Sequence, residues 1–246
     1  MKLSLLTDVG QRRSSNQDYV SHFENQSGVT LVVLADGMGG HRAGNVASEM
    51  TVLDLGNQWV ETDFTDLIAI RDWLLRVIEE ENQKIHNMGQ TEEYQGMGTT
   101  VEAVAVVGNH IIFAHVGDSR IGLVRGDQYQ LLTSDHSLVN ALVKAGEITE
   151  EEAATHPKKN IITQSIGQAN PVEVDLAAHI LEDGDYLIIN SDGLTNMVSQ
   201  DDIISILNQD MTLDEKSEAL IALANERGGL DNISVALVHF ESEGET

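Results

Sequence analysis

The chain has 246 residues, no cysteine, and 40 acidic against 14 basic side chains, a formal charge of −26. That balance argues against nucleic acid or anionic membrane as partner, since both need a basic patch, and the missing cysteines exclude a disulfide framework and any cysteine nucleophile. With 41% hydrophobic residues the chain has material for a large core, no apolar run nears the ~18 residues of a membrane span, and Asp8 breaks the opening stretch too early for a signal-peptide core, so the cytoplasm is the expected compartment.

Short runs rich in Val, Ile and Leu predict strands over 2–10 and 30–37. A helix is expected over 45–55. A longer one, over 66–86, sets Leu67, Ile70, Leu74, Val77, Ile78 and Ile85 on one face at helical spacing. Strands then follow over 99–108, 110–120, 121–126 and 128–133, and the Gly-containing turns at 108–110 and 126–128 suggest an antiparallel meander. Residues 134–175 are more polar and irregular, and read as a flap subdomain inserted between strands. Within it Thr149 and Glu152 have the spacing of a capping box. A strand over 185–193 comes next, then helices opened by Ser199 with Asp202 and by Thr212 with Glu215, then a last strand over 232–240. Strands and helices do not alternate strictly, which favours antiparallel sheets with helices packed outside. One domain over 1–240 and a tail over 241–246 are expected.

The stretch LVVLADGMGGH at 31–41 carries the functional signal. An apolar run meets Asp36 and then Gly37. The same Asp-Gly pair follows an apolar run at Asp192 and Gly193, while Asp231 precedes the last strand, Asp118 follows Val116, and Asp18 precedes Tyr19 and Val20. Each acid alone reads as a cap or a turn residue. If the strands are neighbours, however, the carboxylates meet in a poorly solvated place and repel one another. A divalent cation resolves that conflict, and oxygen ligands without Cys or a His cluster favour Mg²⁺ or Mn²⁺ over Zn²⁺. A glycine after the Asp would let its carbonyl approach an ion, with no Cβ in the way. Arg12 and Arg13 lie just before Asp18, in a chain poor in cations, and an Arg fork suits a phosphate. No G-x-S-x-G elbow and no P-loop occurs.

In order, RRSSNQD, LADGMGGHRAG, GMGTT, AHVGDSR, LTSDHS, SIG, SDGL and DNISV resemble the motifs of metal-dependent serine/threonine protein phosphatases, the type 2C family, over about 3–240. The short form is similar to bacterial stand-alone members, those of Gram-positive bacteria especially. The resemblance implies an α+β, four-layer αββα sandwich of two antiparallel sheets flanked by helices. It implies hydrolysis of phosphoserine and phosphothreonine by metal-activated water at a dinuclear Mn²⁺ or Mg²⁺ centre. Matched by position, Asp36 bridges two ions and the Gly37 carbonyl binds one. Asp192 and Asp231 bind the other, Asp18 supports the pair, and Asp118 with Asp192 takes a third, weaker ion. Arg13 matches the phosphate-binding Arg. Phosphorylated proteins, a cognate Ser/Thr kinase among them, are the implied partners, and a monomer is expected. Two positions depart from the family pattern: Met38 stands where some members carry His, and Gln17 where many carry Glu. His41 is the nearest His in this stretch and reads as a loop residue. A binding-only pseudo-enzyme and a small-molecule phosphohydrolase are the alternatives on the same fold.

Overall fold

In the computed structural model, which describes residues 1–39 and 43–241, the strands form two antiparallel sheets laid face to face. One has the order β1 (Lys2–Asp8), β11 (Ile233–His239), β10 (Tyr186–Asn190), β7 (Arg120–Arg125), β8 (Gln128–Leu131). The other has the order β2 (Asp18–Glu24), β3 (Thr30–Met38), β5 (Val101–Val107), β6 (His110–Val116), β9 (Asp175–Ile180), with β4 (Gly98–Thr99) paired to the end of β3. Helices α1 (Ala43–Val60) and α2 (Leu67–Met88) cover the second sheet, and α6 (Gln200–Leu207) and α7 (Leu213–Glu226) cover the first. Between β8 and β9 lie α3 (Leu138–Lys144) and α4 (Glu150–Ala154), and α5 (Asp192–Thr195) is a single turn after β10. The layers are αββα, as the resemblance implied. Among the described residues no helix is long and apolar enough to cross a membrane.

Each inner strand is buried on both faces, which is why the sequence shows continuous apolar runs and not alternation. In β3, Leu31, Val33 and Ala35 pack under α1 and α2 with Trp59, Leu74 and Ile78. Val32 and Leu34 point the other way, into the inter-sheet core with Phe113, Leu187 and Val238. The third core joins Ile188, Val235 and Leu237 to Ile203 and Leu220 of the opposite helices. The caps formed as their spacing predicted: Thr149 with Glu152, Ser199 with Asp202 and Thr212 with Glu215 all make reciprocal capping boxes. Asp66 caps α2 by accepting from the N–H groups of Ile68 and Ala69.

The structure corrects the meander expectation. The stretch 99–133 is not a meander but two hairpins in different sheets, β5–β6 in one and β7–β8 in the other. The chain changes sheets at Gly117, whose φ of +125° is open to glycine, and where a Cβ would fall 2.4 Å from the Thr100 side chain. Four elements are not evident in the sequence: the outer strands β2 and β9, whose burial is patchy, and the short helices α3 and α5. The first helix also runs further than expected, through Gly56, where the Phe23 ring fills the space a side chain would need.

Candidate active site

Five aspartates reach one end of the sandwich from both sheets. Asp18 and Asp36 are direct cross-strand partners at the end of the β2–β3 pair. Asp192 is the first residue of α5, directly beyond β10, and Asp231 lies two residues before β11, the neighbour of β10. Asp118 sits in the crossing from β6 to β7. Their proximity shows in their proton affinities. Burial raises Asp36 well above the usual carboxylate range, and the charges of Asp18, Asp192, Asp118 and Asp231 add to it. Asp18, the deepest, is pushed up to about 7, chiefly by burial, against the opposing effect of hydrogen bonds from Ser191 and Ser234. Asp118 rises to about 7 through burial and the charge of Asp192, and Asp192 to about 6 through burial and the charge of Asp231.

Two close backbone approaches hold the acids in place. A Cβ on Gly37 would fall 2.1 Å from the Gly44 carbonyl at the start of α1, and one on Gly193 would fall 2.0 Å from the Asn232 carbonyl before β11. Each Asp-Gly pair therefore marks a place where a second segment crosses directly over the chain. Packing at these crossings requires both glycines. Asn232 joins the two sheets: its Nδ2 donates to the carbonyls of Val9 and Ser15, and its Oδ1 accepts from the Gln17 N–H at 2.8 Å. The Gln17 carbonyl accepts from Gly37 N–H, and its side-chain amide lies against Gly44, so this departure from the family pattern serves the packing of α1.

Arg13 is about half exposed at the rim and donates from Nη2 to Asp231 Oδ2 at 2.7 Å. The loop that carries it rests on Gly229, whose carbonyl accepts from the N–H groups of Gln11 and Arg12. Met38 ends β3. His41 lies outside the described residues.

The donor set fits a hard divalent cation. Asp18 Oδ1 and Asp192 Oδ1 are buried with no hydrogen-bond partner, while Oδ2 of each is engaged, by Ser191 Oγ at 2.7 Å and Asn196 Nδ2 at 3.0 Å. Buried carboxylate oxygens left bare amid like charge are stable only if protonated or bound to a cation. Asp192 and Asp231 meet because β10 and β11 are neighbours in the sheet, although they are far apart in sequence.

Sequence reasoning missed several residues here. Arg120 grips Asp135 with both ends of its fork, at 2.9 and 2.7 Å, and its charge counters those of Asp118 and Asp192. The hydroxyl of Thr100 accepts from Asp36 N–H and bonds to Ser119 Oγ at 3.0 Å. His115, His136 and Asp175 also converge, contrary to the expectation of no His cluster. They lie on β6, in the segment before α3 and at the start of β9; the β6–β9 pairing sets His115 opposite Asp175, and hydrogen bonds with Gly117 bring His136 to them. By contrast the cleft between α1 and α2, lined by Asp54, Trp73, Arg76, Glu80, Glu81 and Lys84, has most of its charges paired: Lys84 with Asp54, and Arg76 with Glu80.

The profile of the family described as Protein phosphatase 2C matches residues 10–225. A putative protein phosphatase 2C-type of Streptococcus pyogenes serotype M6 is 68% identical over 243 residues, 99% of each chain. The structure of the Streptococcus agalactiae serine/threonine phosphatase superposes with a TM-score of 0.97 at 70% identity, covering 98% of this chain and 99% of that one. The catalytic domain of the serine/threonine protein phosphatase PstP, solved in complex with two manganese ions, superposes with a TM-score of 0.83 at 33% identity over 96% of each chain.

Proposed function

Since this chain belongs to the protein phosphatase 2C family, we propose that it removes phosphate from phosphoserine and phosphothreonine side chains of proteins at its five-aspartate cluster, with Mn²⁺ or Mg²⁺ as cofactor. The observation that carries this reading is the mutual crowding of Asp18, Asp36, Asp118, Asp192 and Asp231, with one bare, buried oxygen each on Asp18 and Asp192. Asp36, whose charge interacts with the other four, would be shared by both ions, and the Gly37 carbonyl would hold one of them. Asp192 and Asp231 would complete one of them, Asp18 would support the pair, and Asp118 with Asp192 would hold a third.

When bound, such ions supply Lewis acidity, which lowers the pKa of water and offsets charge on phosphoryl oxygens. The chain's own groups do the rest. Arg13 offers a forked guanidinium to the phosphoryl oxygens, and Asp231 keeps it at the rim between turnovers. Ser191 donates to Asp18 Oδ2, which leaves Oδ1 free for a cation. Arg120 offsets part of the excess negative charge from behind, through Asp118 and Asp192. Met38 has no proton to give, so the leaving alkoxide takes one from water or from another nearby group. No side chain becomes phosphorylated.

The segment 134–175, with α3 and α4, serves as the flap beside the site and contacts the polypeptide that carries the phosphate. A cognate Ser/Thr kinase and its targets are the partners, and the enzyme acts as a cytoplasmic monomer. The test is release of phosphate from a phosphothreonine peptide and from an aryl phosphate, with Mn²⁺ and after exhaustive chelation. Loss of both activities on chelation and recovery with Mn²⁺ are expected, and ¹⁸O from solvent should enter phosphate in a single turnover. Full turnover after chelation, or a trapped phosphoryl-enzyme, overturns the reading.

A further inference from the structure

Asp18, Asp192 and Asp231 each accept a side-chain hydrogen bond, from Ser191, Asn196 and Arg13. Among the described residues no side chain hydrogen-bonds to the Asp118 carboxylate, which lies amid the charges of Asp192, Asp135 and Arg120. The position of the carboxylate is therefore set by the backbone of the sheet crossing, and two anchors fix that backbone. On one side Ser119 Oγ bonds to Thr100 Oγ1 at 3.0 Å, and Thr100 Oγ1 also takes the Asp36 N–H at 2.9 Å. On the other side Gly117 and His136 grip each other twice. The His136 N–H donates to the Gly117 carbonyl at 2.7 Å, and the Gly117 N–H donates to His136 Nδ1 at 3.2 Å.

The ring that accepts this bond is itself fixed. His136 Nε2 faces Asp175 Oδ2 at 3.2 Å, and the ring packs on His115 with centroids 4.6 Å apart. His115 is fully buried between Glu102, 2.8 Å from Nδ1, and the Ser134 carbonyl, 3.2 Å from Nε2. Because Gly117 donates to Nδ1, the proton of the neutral His136 ring sits on Nε2 and points at Asp175. That tautomer has no free lone pair for a metal, so the His115, His136 and Asp175 cluster acts as a brace and not as a metal site.

We propose that His136 is a positioning residue for Asp118: its paired hydrogen bonds with Gly117 hold the Asp118 carboxylate where it would serve a cation of the acidic cluster. This rests on the reading of Asp118 as a cation ligand. The experiment therefore compares wild type, Asp118→Asn, His136→Asn, His136→Leu and His136→Gln. Asn places an oxygen near the Nδ1 position and keeps an acceptor for Gly117; Leu has none, and Gln carries its oxygen one bond further out. Metal-free protein is titrated with Mn²⁺ and free Mn²⁺ is read by electron paramagnetic resonance, with thermal unfolding as the check on folding.

Asp118→Asn is expected to lose the weakest-bound Mn²⁺. His136→Leu should bind that ion at least tenfold more weakly, whereas His136→Asn should stay within threefold of wild type. The Mn²⁺ concentration for half-maximal aryl phosphate hydrolysis should shift by the same factors. If His136→Leu does not fold, His136→Gln takes its place in the comparison. An Asp118→Asn variant that titrates like wild type overturns the ligand reading itself. If Asp118→Asn loses the ion but the Leu and Gln variants do not, or if Asn falls as far as they do, the positioning role is wrong.

Discussion

Replacing Asp192 by Asn removes one charge from a crowded site and nearly preserves its shape. The Asn oxygen can still accept from Asn196 Nδ2, which bonds to Asp192 Oδ2 at 3.0 Å. In the folded, metal-free protein the Asp192 carboxyl is pushed up from an ordinary 3.8 to about 6, first by burial and next by the charge of Asp231. The folded state thus holds this proton more tightly than the unfolded chain. Below pH 3.8 the group is protonated in both states and costs nothing; the cost grows between 3.8 and about 6 and is complete above that. Two pKa units correspond to about 3 kcal/mol at 1.36 kcal/mol each. For a chain of this size that is a rise in Tm of about 6–12 °C, at about 2–4 °C per kcal/mol. The assay is thermal unfolding in chelator at pH 8 and at pH 4. Asp192→Asn should be the more stable protein at pH 8, and the advantage should vanish at pH 4. Saturating Mn²⁺ should narrow or reverse the difference, since a ligand at a hundredfold its Kd adds about 2.7 kcal/mol to the protein that binds it. Phosphatase activity should be lost throughout. If the variant melts below wild type in chelator at pH 8, or gains equally at both pH values, the acids are not in electrostatic conflict and the reasoning fails.

Arg13→Ala should raise KM for a phosphopeptide about tenfold, equivalent to about 1.4 kcal/mol of lost binding, with kcat changed far less; an unchanged KM counts against its place at the phosphate. Gly193→Ala forces a Cβ to within 2.0 Å of the Asn232 carbonyl, so α5 and Asp192 must move. It should cost about 1–3 kcal/mol in stability by overpacking and over a hundredfold in activity, and wild-type turnover would show that this approach does not place Asp192. Lys216, buried at the far side of the first sheet, donates to the Leu207 carbonyl at 2.6 Å and to the Tyr186 hydroxyl at 2.7 Å. Lys216→Met should lower stability by about 1–3 kcal/mol, read as a drop in Tm, with kcat intact, because it strands a buried helix-end carbonyl far from the chemistry.

The local elements were legible because their signals are local. Apolar runs mark strands buried on both faces, and a Thr or Ser three residues before an acid marks a helix start; Thr149, Ser199 and Thr212 behaved as that spacing requires. Outer strands such as β9 gave little signal, since only part of each is buried. The five acids could be named from their settings beside apolar runs, but their meeting could not be derived from those settings. It depends on β10 lying beside β11, and on Asp18 standing opposite Asp36, pairings between residues that are distant in sequence.

The sequence by itself determined the buried strands, the longer helices and the acids at their ends, because backbone preference and hydrophobic spacing act within a few residues. Only the tertiary structure decided that the chain changes sheets at Gly117, that two glycines are required by crossing carbonyls, and that His136 reaches Gly117 from nineteen residues away. Those facts depend on close packing between distant segments, where a contact of about 3 Å is fixed by the whole fold and by no local pattern.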